Sequence, residues 1–369
     1  MRIGLFPLWT DSQIGGIATY DTCLLPALAR VGPGDEFHVY SPSSDAIRSL
    51  AQSYANVTHH RLVPRSRWIN VPLSFPIATA FSRVDLLHVT HVPPPISTRP
   101  YVMTLHCMST FLYPEFYPRG LNLRANALLK KGLRSARRVV CVSHGLKEIA
   151  AEKLGVERER LAVVYHGVSD DFRPMPRPEA AARVRAGYGI DRPFLLFVGV
   201  FAPKKNLGRL VDAYAMFKNE TRSSIALVLA GRRWLTDDVD EAVARNRLEA
   251  DVIQPGHVGL DALPALYNAA EALVFPSLCE SFGMPIIESM ACGTPVVTSR
   301  GSCLPEVAGD AALLVDEYSV ESMAEGIDAV VNNPGRASRM RESGLRRARS
   351  FTWRSAAEQT LSVYRDVLD

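Results

Sequence analysis

Short runs of apolar and β-branched residues recur along the chain, and most are separated by stretches with helical patterning. The first run, residues 3–7, precedes Gly15-Gly16 and a helical stretch around 19–30, and further runs stand at 36–40, 85–89, 101–105 and 138–142. Strand followed by helix, repeated, predicts a parallel, doubly wound sheet. A second alternating set occupies 194–200, 225–230, 272–276 and 294–297. A final helix is predicted over 354–368, where Ala357, Leu361, Tyr364 and Val367 recur at helical spacing.

Between the two sets the pattern breaks. Residues 167–193 contain Pro174, Pro176 and Pro178 followed by a charged helix, and this is the predicted linker. The expected organisation is therefore α/β with two Rossmann-like, doubly wound domains, 1–170 and 171–353, facing each other across a cleft. The helix at about 354–369 is expected to pack back onto the first domain. Ligands of such domains bind at the carboxyl ends of the strands. No G-x-G-x-x-G follows the first strand and no G-x-x-x-x-G-K-[ST] occurs, which argues against a nicotinamide enzyme and a P-loop NTPase.

Composition narrows the class. With 369 residues, 47% hydrophobic and 22% charged, the chain reads as globular and long enough for two cores. No apolar run reaches membrane-spanning length, and residues 1–6 lack the apolar core of a signal peptide, so a cytoplasmic chain is expected. Six cysteines without a C-x-x-C pair indicate reduced thiols rather than a disulfide scaffold or a zinc finger. Charge is uneven: residues 1–170 hold 19 Lys and Arg against 12 Asp and Glu, and the remainder 23 against 26. A basic first half suits an anionic partner, yet no basic motif with interleaved aromatics speaks for nucleic acid.

Two constellations carry chemistry. In residues 276–293 a strand end leads through a loop into a helix, with Pro285 suited to its first turn and Gly293 to its end. Backbone N–H groups around Phe282, Gly283 and Met284 then face a positive helix end, which suits a diphosphate or another oxygen-rich ligand. Glu280 in the loop and Glu288, expected in the first helical turn, are acceptors for hydroxyl donors such as those of a sugar or a ribose. The plainer alternative has Glu288 complementing the helix dipole and Glu280 solvated. In the second constellation a buried strand emerges at Gly199 and turns through Pro203, delivering Lys204 and Lys205 just before a helix. Paired cations at a strand's carboxyl end match a diphosphate that gains charge as it departs.

Together these motifs resemble the retaining glycosyltransferases of family four, which have the GT-B fold. The resemblance spans nearly the whole chain. It is most specific from Gly256-His257-Val258 through Leu263-Pro264-Ala265-Leu266-Tyr267 and 280–288 to Leu304-Pro305-Glu306-Val307. Gly15-Gly16, Thr104-Leu105-His106, Val142-Ser143, Tyr165-His166-Gly167-Val168, and Gly199 with Pro203-Lys204-Lys205-Asn206 support it. The resemblance implies that Glu288 holds the ribose hydroxyls and Glu280 the donor sugar. It gives contacts with sugar and diphosphate to the amides of Phe282, Gly283 and Met284. It implies that Lys205, helped by Lys204, neutralises the leaving diphosphate, which the Gly15-Gly16 loop approaches from the first domain. His106 is implied to reach the donor sugar, and His257 and Val258 to edge the base. Two positions depart from the common pattern: Ser281 follows Glu280 where Gly is frequent, and Cys107 follows His106 where Asp is.

The resulting expectation is a metal-independent, retaining hexosyltransferase that uses no cofactor. The donor is a nucleoside diphosphate sugar, with GDP-mannose favoured over UDP-sugars. The acceptor is a hydroxyl of a glycan or a lipid-linked glycan, in polysaccharide or glycolipid biosynthesis. Alternatives are a sugar-nucleotide 2-epimerase and a non-catalytic nucleotide-sugar-binding subunit. In residues 121–138, Leu121, Leu128, Leu129 and Leu133 fall on one face beside cations: the plainer reading is an ordinary surface helix, and the alternative is an interfacial helix touching an anionic membrane on its cytoplasmic side. The aromatic loop 111–117 is expected at an acceptor or interface surface.

Overall fold

A computed structural model describes residues 1–7, 16–42, 45–64, 66, 69–90, 93–234 and 238–369, without the side chains of residues 45, 46 and 121. The chain divides into two compact units: Met1–Gly167 with Thr352–Asp369, and Val168–Phe351.

Among the described residues the first unit holds one parallel sheet. Its strands are β1 (Arg2–Phe6), β2 (Glu36–Ser41), β3 (Val57–Arg61), β4 (Leu86–Val89), β5 (Tyr101–Leu105), β6 (Arg138–Cys141) and β7 (Leu161–Val163), in the spatial order β3-β2-β1-β4-β5-β6-β7. The register assigns side chains to faces. Gly4 pairs with His38 and Leu87, Phe6 with Val89, Leu87 with Tyr101, and Val89 with Met103, so these residues share one face. Leu5, His88 and Thr104 stand on the other. Helix Gly16–Val31 and the closing helix Trp353–Leu368 pack on the His88 face, where Tyr364 OH meets His88 Nδ1 at 2.5 Å.

The second unit repeats the plan with β8 (Phe194–Val198), β9 (Ala226–Ala230), β10 (Val252–Gly256), β11 (Ala272–Phe275), β12 (Val296–Ser299) and β13 (Ala312–Val315), ordered β10-β9-β8-β11-β12-β13. β9, β11 and β12 are buried at every position, as a parallel strand covered on both faces by helices must be. Strand order reverses at β8 and β11. Their carboxyl ends are where a doubly wound sheet leaves room for a ligand.

The basic helix runs Arg119–Ser135 and buries one side, as an ordinary surface helix does. Leu133 is buried and Leu128 and Leu129 are half-buried, while Gly132 packs so closely on Pro93 and Met103 that a Cβ would come within 2.5 Å of the proline. The leucine side therefore serves the sheet, and the cations face solvent. The side chain of Leu121 lies outside the described residues.

Candidate functional site

In the second unit the carboxyl ends of β8 and β11 bring two sequence segments together. Beyond β8, a 3₁₀ turn, Pro203–Lys205, ends at Asn206, whose φ of 61° lets the chain enter helix Leu207–Thr221. Asn206 is buried. Its Nδ2 donates to the carbonyls of Pro276 (3.2 Å) and Glu317 (2.7 Å), and Leu278 N donates to Lys204 O at 2.8 Å. The bonds with Pro276 and Leu278 tie the lysine turn to the β11 loop, and the bond to Glu317 ties it to the segment after β13. Close approach continues at Gly231, where a Cβ would stand 1.7 Å from Gly199 O.

The consequence is a direct ion pair between Lys205 Nζ and Glu280 Oε1, each side chain only 12% exposed. The ammonium also sits 4.7 Å from the centroid of the Phe275 ring. Burial by itself would raise the Glu280 carboxyl, but the charges of Lys205 and Lys204 outweigh it and hold the group below its ordinary value. Glu280 is thus an ionised acceptor. Its backbone is clamped as well: its N–H donates to Ser302 Oγ (3.1 Å), whose hydroxyl donates back to Glu280 O (2.5 Å).

Helix Met284–Ala291 begins just past this loop. Gly283 has φ 97°, and a Cβ there would lie 2.8 Å from Leu304 Cδ2, so glycine is required for both conformation and space. Pro285 occupies the first turn, as expected. Phe282 is buried edge-on against Phe351 at 5.7 Å, and Met284 is half-buried.

Glu288 is not in the first turn. It is the fifth residue of the helix, in the second turn, and buried to 6% exposure, so a dipole-complementing surface role does not describe it. Tyr267 OH donates to its Oε2 at 2.8 Å. Burial pushes the Glu288 carboxyl up to about 7, with the tyrosine hydrogen bond pulling the other way. His257 and Val258 follow the end of β10, two strands from β8; His257 is exposed and Val258 buried.

The remaining sequence-selected residues belong to the first unit. Gly15 lies outside the described residues, and Gly16 is the exposed first residue of helix Gly16–Val31. His106 follows β5 and sits in a group of aromatic rings. Tyr20 meets it edge-on at 4.6 Å, and His166 stacks on it at 5.7 Å with 2° between planes. Trp353 lies 5.8 Å from His166. Burial lowers His166 to about 3, so that ring is neutral. Behind Tyr20 runs a buried chain of polar groups: Tyr20 OH to Thr104 Oγ1 (3.0 Å), Thr104 Oγ1 to His88 Nε2 (2.7 Å), and His88 to Tyr364. The Cys107 thiol lies 2.9 Å from Ser109 Oγ. Sequence reasoning gave no role to Tyr20, His166, Tyr267, Ser302 or Trp353. Tyr267 and His166 stood inside the quoted motifs, but nothing local marked them as neighbours of Glu288 and His106. Among the described residues no three His, Cys, Asp or Glu side chains gather as a metal site would.

A parallel, Rossmann-like sheet built twice in one chain is the GT-B plan. Residues 14–172 match the model of Glycosyltransferase Family 4, and residues 182–347 that of Glycosyl transferases group 1. O-antigen chain mannosyltransferase B of Escherichia coli is 31% identical over 265 residues, covering 72% of this chain and 70% of that protein. The chain belongs to this family of glycosyltransferases. Sucrose-phosphate synthase from Thermosynechococcus elongatus shares the fold with a TM-score of 0.77 at 22% identity, over 99% of this chain and 98% of that one. Anabaena HepE, solved with UDP and glucose, gives 0.77 at 19% identity over 99% and 100%.

Proposed function

We propose that this glycosyltransferase moves mannose from GDP-mannose to a hydroxyl of a glycan or lipid-linked glycan, retaining anomeric configuration and using neither metal nor cofactor. The observation that carries the reading is the Lys205–Glu280 pair at the strand reversal, with the buried Glu288 on the adjoining helix. Each group has a distinct task. Lys205 and Lys204 stabilise the diphosphate as negative charge develops on it, together with the N-terminal amides of helix Met284–Ala291. Glu280, ionised and acceptor-only, takes hydroxyls of the sugar, and Glu288 takes those of the ribose. In front-face displacement the leaving phosphate oxygen accepts the proton of the attacking hydroxyl while the anomeric C–O bond to phosphate breaks and the new one forms on the same face. No carboxylate is then required as base, and the charge stabilisation is covalently built into the protein.

Support for mannose comes from the Escherichia coli relative, which is by name a mannosyltransferase; HepE, solved with UDP, marks the competing donor class. The test is incubation of the protein with a panel of glycan and lipid-linked glycan acceptors and labelled GDP-mannose or UDP-glucose, each with and without chelator. The proposal expects a new α-linked product from GDP-mannose, seen by NMR of its anomeric proton, at a rate chelator leaves unchanged. An inverted product, or activity abolished by chelator and restored by magnesium, would overturn the mechanism. Preference for UDP-glucose would overturn the donor, and epimerised free donor the reaction.

A further inference from the structure

Residues 69–82 contain no charged side chain, yet they form a surface helix: one π-helical turn, Asn70–Ser74, continued by Phe75–Ala80. Phe75 anchors it, fully buried, stacked on Phe6 at 4.0 Å and edge-on to Tyr40. Thr79, also fully buried, spends its hydroxyl on Phe75 O at 2.9 Å. The opposite side is apolar and bare. Ile69, Leu73, Ile77 and Phe81 recur every fourth residue and are 40%, 56%, 57% and 88% exposed. A surface helix ordinarily turns polar residues outward; this one presents a row of large apolar side chains instead.

A second surface adjoins it. Phe6 and Tyr40, which hold this helix, and Met103, against which Gly132 of the basic helix packs, lie on the same face of the first sheet by register. The two helices therefore cover one sheet face, over β1/β2 and over β5, about 12 Å apart at the usual strand spacing. Their outer sides point the same way, away from that sheet. On the basic helix, Arg119, Arg124, Lys130, Lys131 and Arg134 are all exposed and, at about 100° per residue, fall within an arc of roughly 140° with Leu123, itself 76% exposed. No Asp or Glu occurs between residues 116 and 147.

We propose that this face of the first unit docks on an anionic lipid bilayer: the Ile69–Leu73–Ile77–Phe81 row enters the headgroup and acyl boundary, and the cations of helix Arg119–Ser135 meet the lipid charge. Charge complementarity selects this occupant. An apolar row beside a one-signed cationic arc is the composition of an interfacial surface. Two-fold pairing with a second copy would oppose two such arcs with no acid on either helix to compensate. The inference does not depend on the donor or the reaction proposed above, because binding is read without turnover.

The experiment is sedimentation of the full chain with vesicles of phosphatidylcholine alone and with one third phosphatidylglycerol. Binding to the anionic vesicles only, weakened by high salt, is expected. Phe81→Ser should lower the partition constant about tenfold, the scale of one large apolar side chain. Lys130→Ala with Lys131→Ala should lower it about thirtyfold, the scale of two surface cations. All three positions are exposed, so the melting temperature should not move. Equal binding to neutral vesicles, no binding to either, or wild-type binding by both variants would overturn the proposal. So would a dimer in light scattering that Phe81→Ser dissolves, since the face would then be a self-interface.

Discussion

If Glu288 receives the ribose hydroxyls as an ionised acceptor, nucleotide affinity must follow its titration. The group is buried, and burial pushes it up to about 7 against an ordinary 4.5, with Tyr267 the hydroxyl that partly offsets the cost of charge. At pH 6 about a tenth of the protein then carries the ionised form, and at pH 8 about nine tenths. Apparent affinity scales with the competent fraction, so the dissociation constant of nucleoside diphosphate should fall about tenfold over that interval, roughly 1.4 kcal/mol. Glu288→Gln removes the titration, and the ratio of the two proteins' affinities cancels the ligand's own phosphate protonation. Isothermal titration calorimetry from pH 6 to 8 measures both, and a 2′,3′-dideoxy analogue should abolish the difference. Stability carries the opposite sign. A carboxyl whose folded value is raised favours folding when protonated, so its contribution is fully present below about 4.5 and lost as pH rises to about 7. The loss is roughly 3 kcal/mol in the wild type and absent in Glu288→Gln, measurable by urea denaturation across that window. Parallel pH slopes for the two proteins in both assays would refute the assignment.

Three further outcomes follow from the contacts. Lys205→Ala should lower turnover about 10²–10³-fold, the range for losing one key electrostatic donor, and weaken free nucleoside diphosphate; unchanged turnover in a folded variant removes Lys205 from the site. Glu280→Gln should spare or tighten binding of the bare nucleoside diphosphate, because the ion pair no longer occupies Lys205, while turnover of the sugar-bearing donor falls; calorimetry and initial rates separate the two. Tyr364→Phe leaves His88 Nδ1 without its hydroxyl partner at a fully buried position and should cost about 1–3 kcal/mol of stability, read by thermal or urea denaturation.

The interior of both sheets is legible in the sequence. β1, β2, β4, β5 and β6, and β8, β9, β11 and β12, overlap apolar runs, because parallel strands covered on both faces favour apolar side chains at successive positions. β3, β7, β10 and β13 went unread, and all four are sheet edges. β3, Val57-Thr-His-His-Arg, buries a single residue, since an edge strand has one neighbour and less cover, and its composition drifts toward that of a loop. The motif residues of the second unit could be picked out individually because strand ends and helix starts are local events marked by Gly and Pro. Their coupling could not. Lys205 and Glu280 are 75 residues apart, and only the reversal of strand order at β8 and β11 sets their segments side by side. Helical spacing likewise finds faces without saying which one the sheet will take. Leu128, Leu129 and Leu133 turn inward and the apolar row at 69–81 outward, because packing against particular strands, Phe75 on Phe6 and Gly132 on Met103, decides orientation. Backbone hydrogen bonding between near neighbours sets the elements. Burial, and with it the charge state of Glu288, depends on which distant surfaces the topology brings into contact.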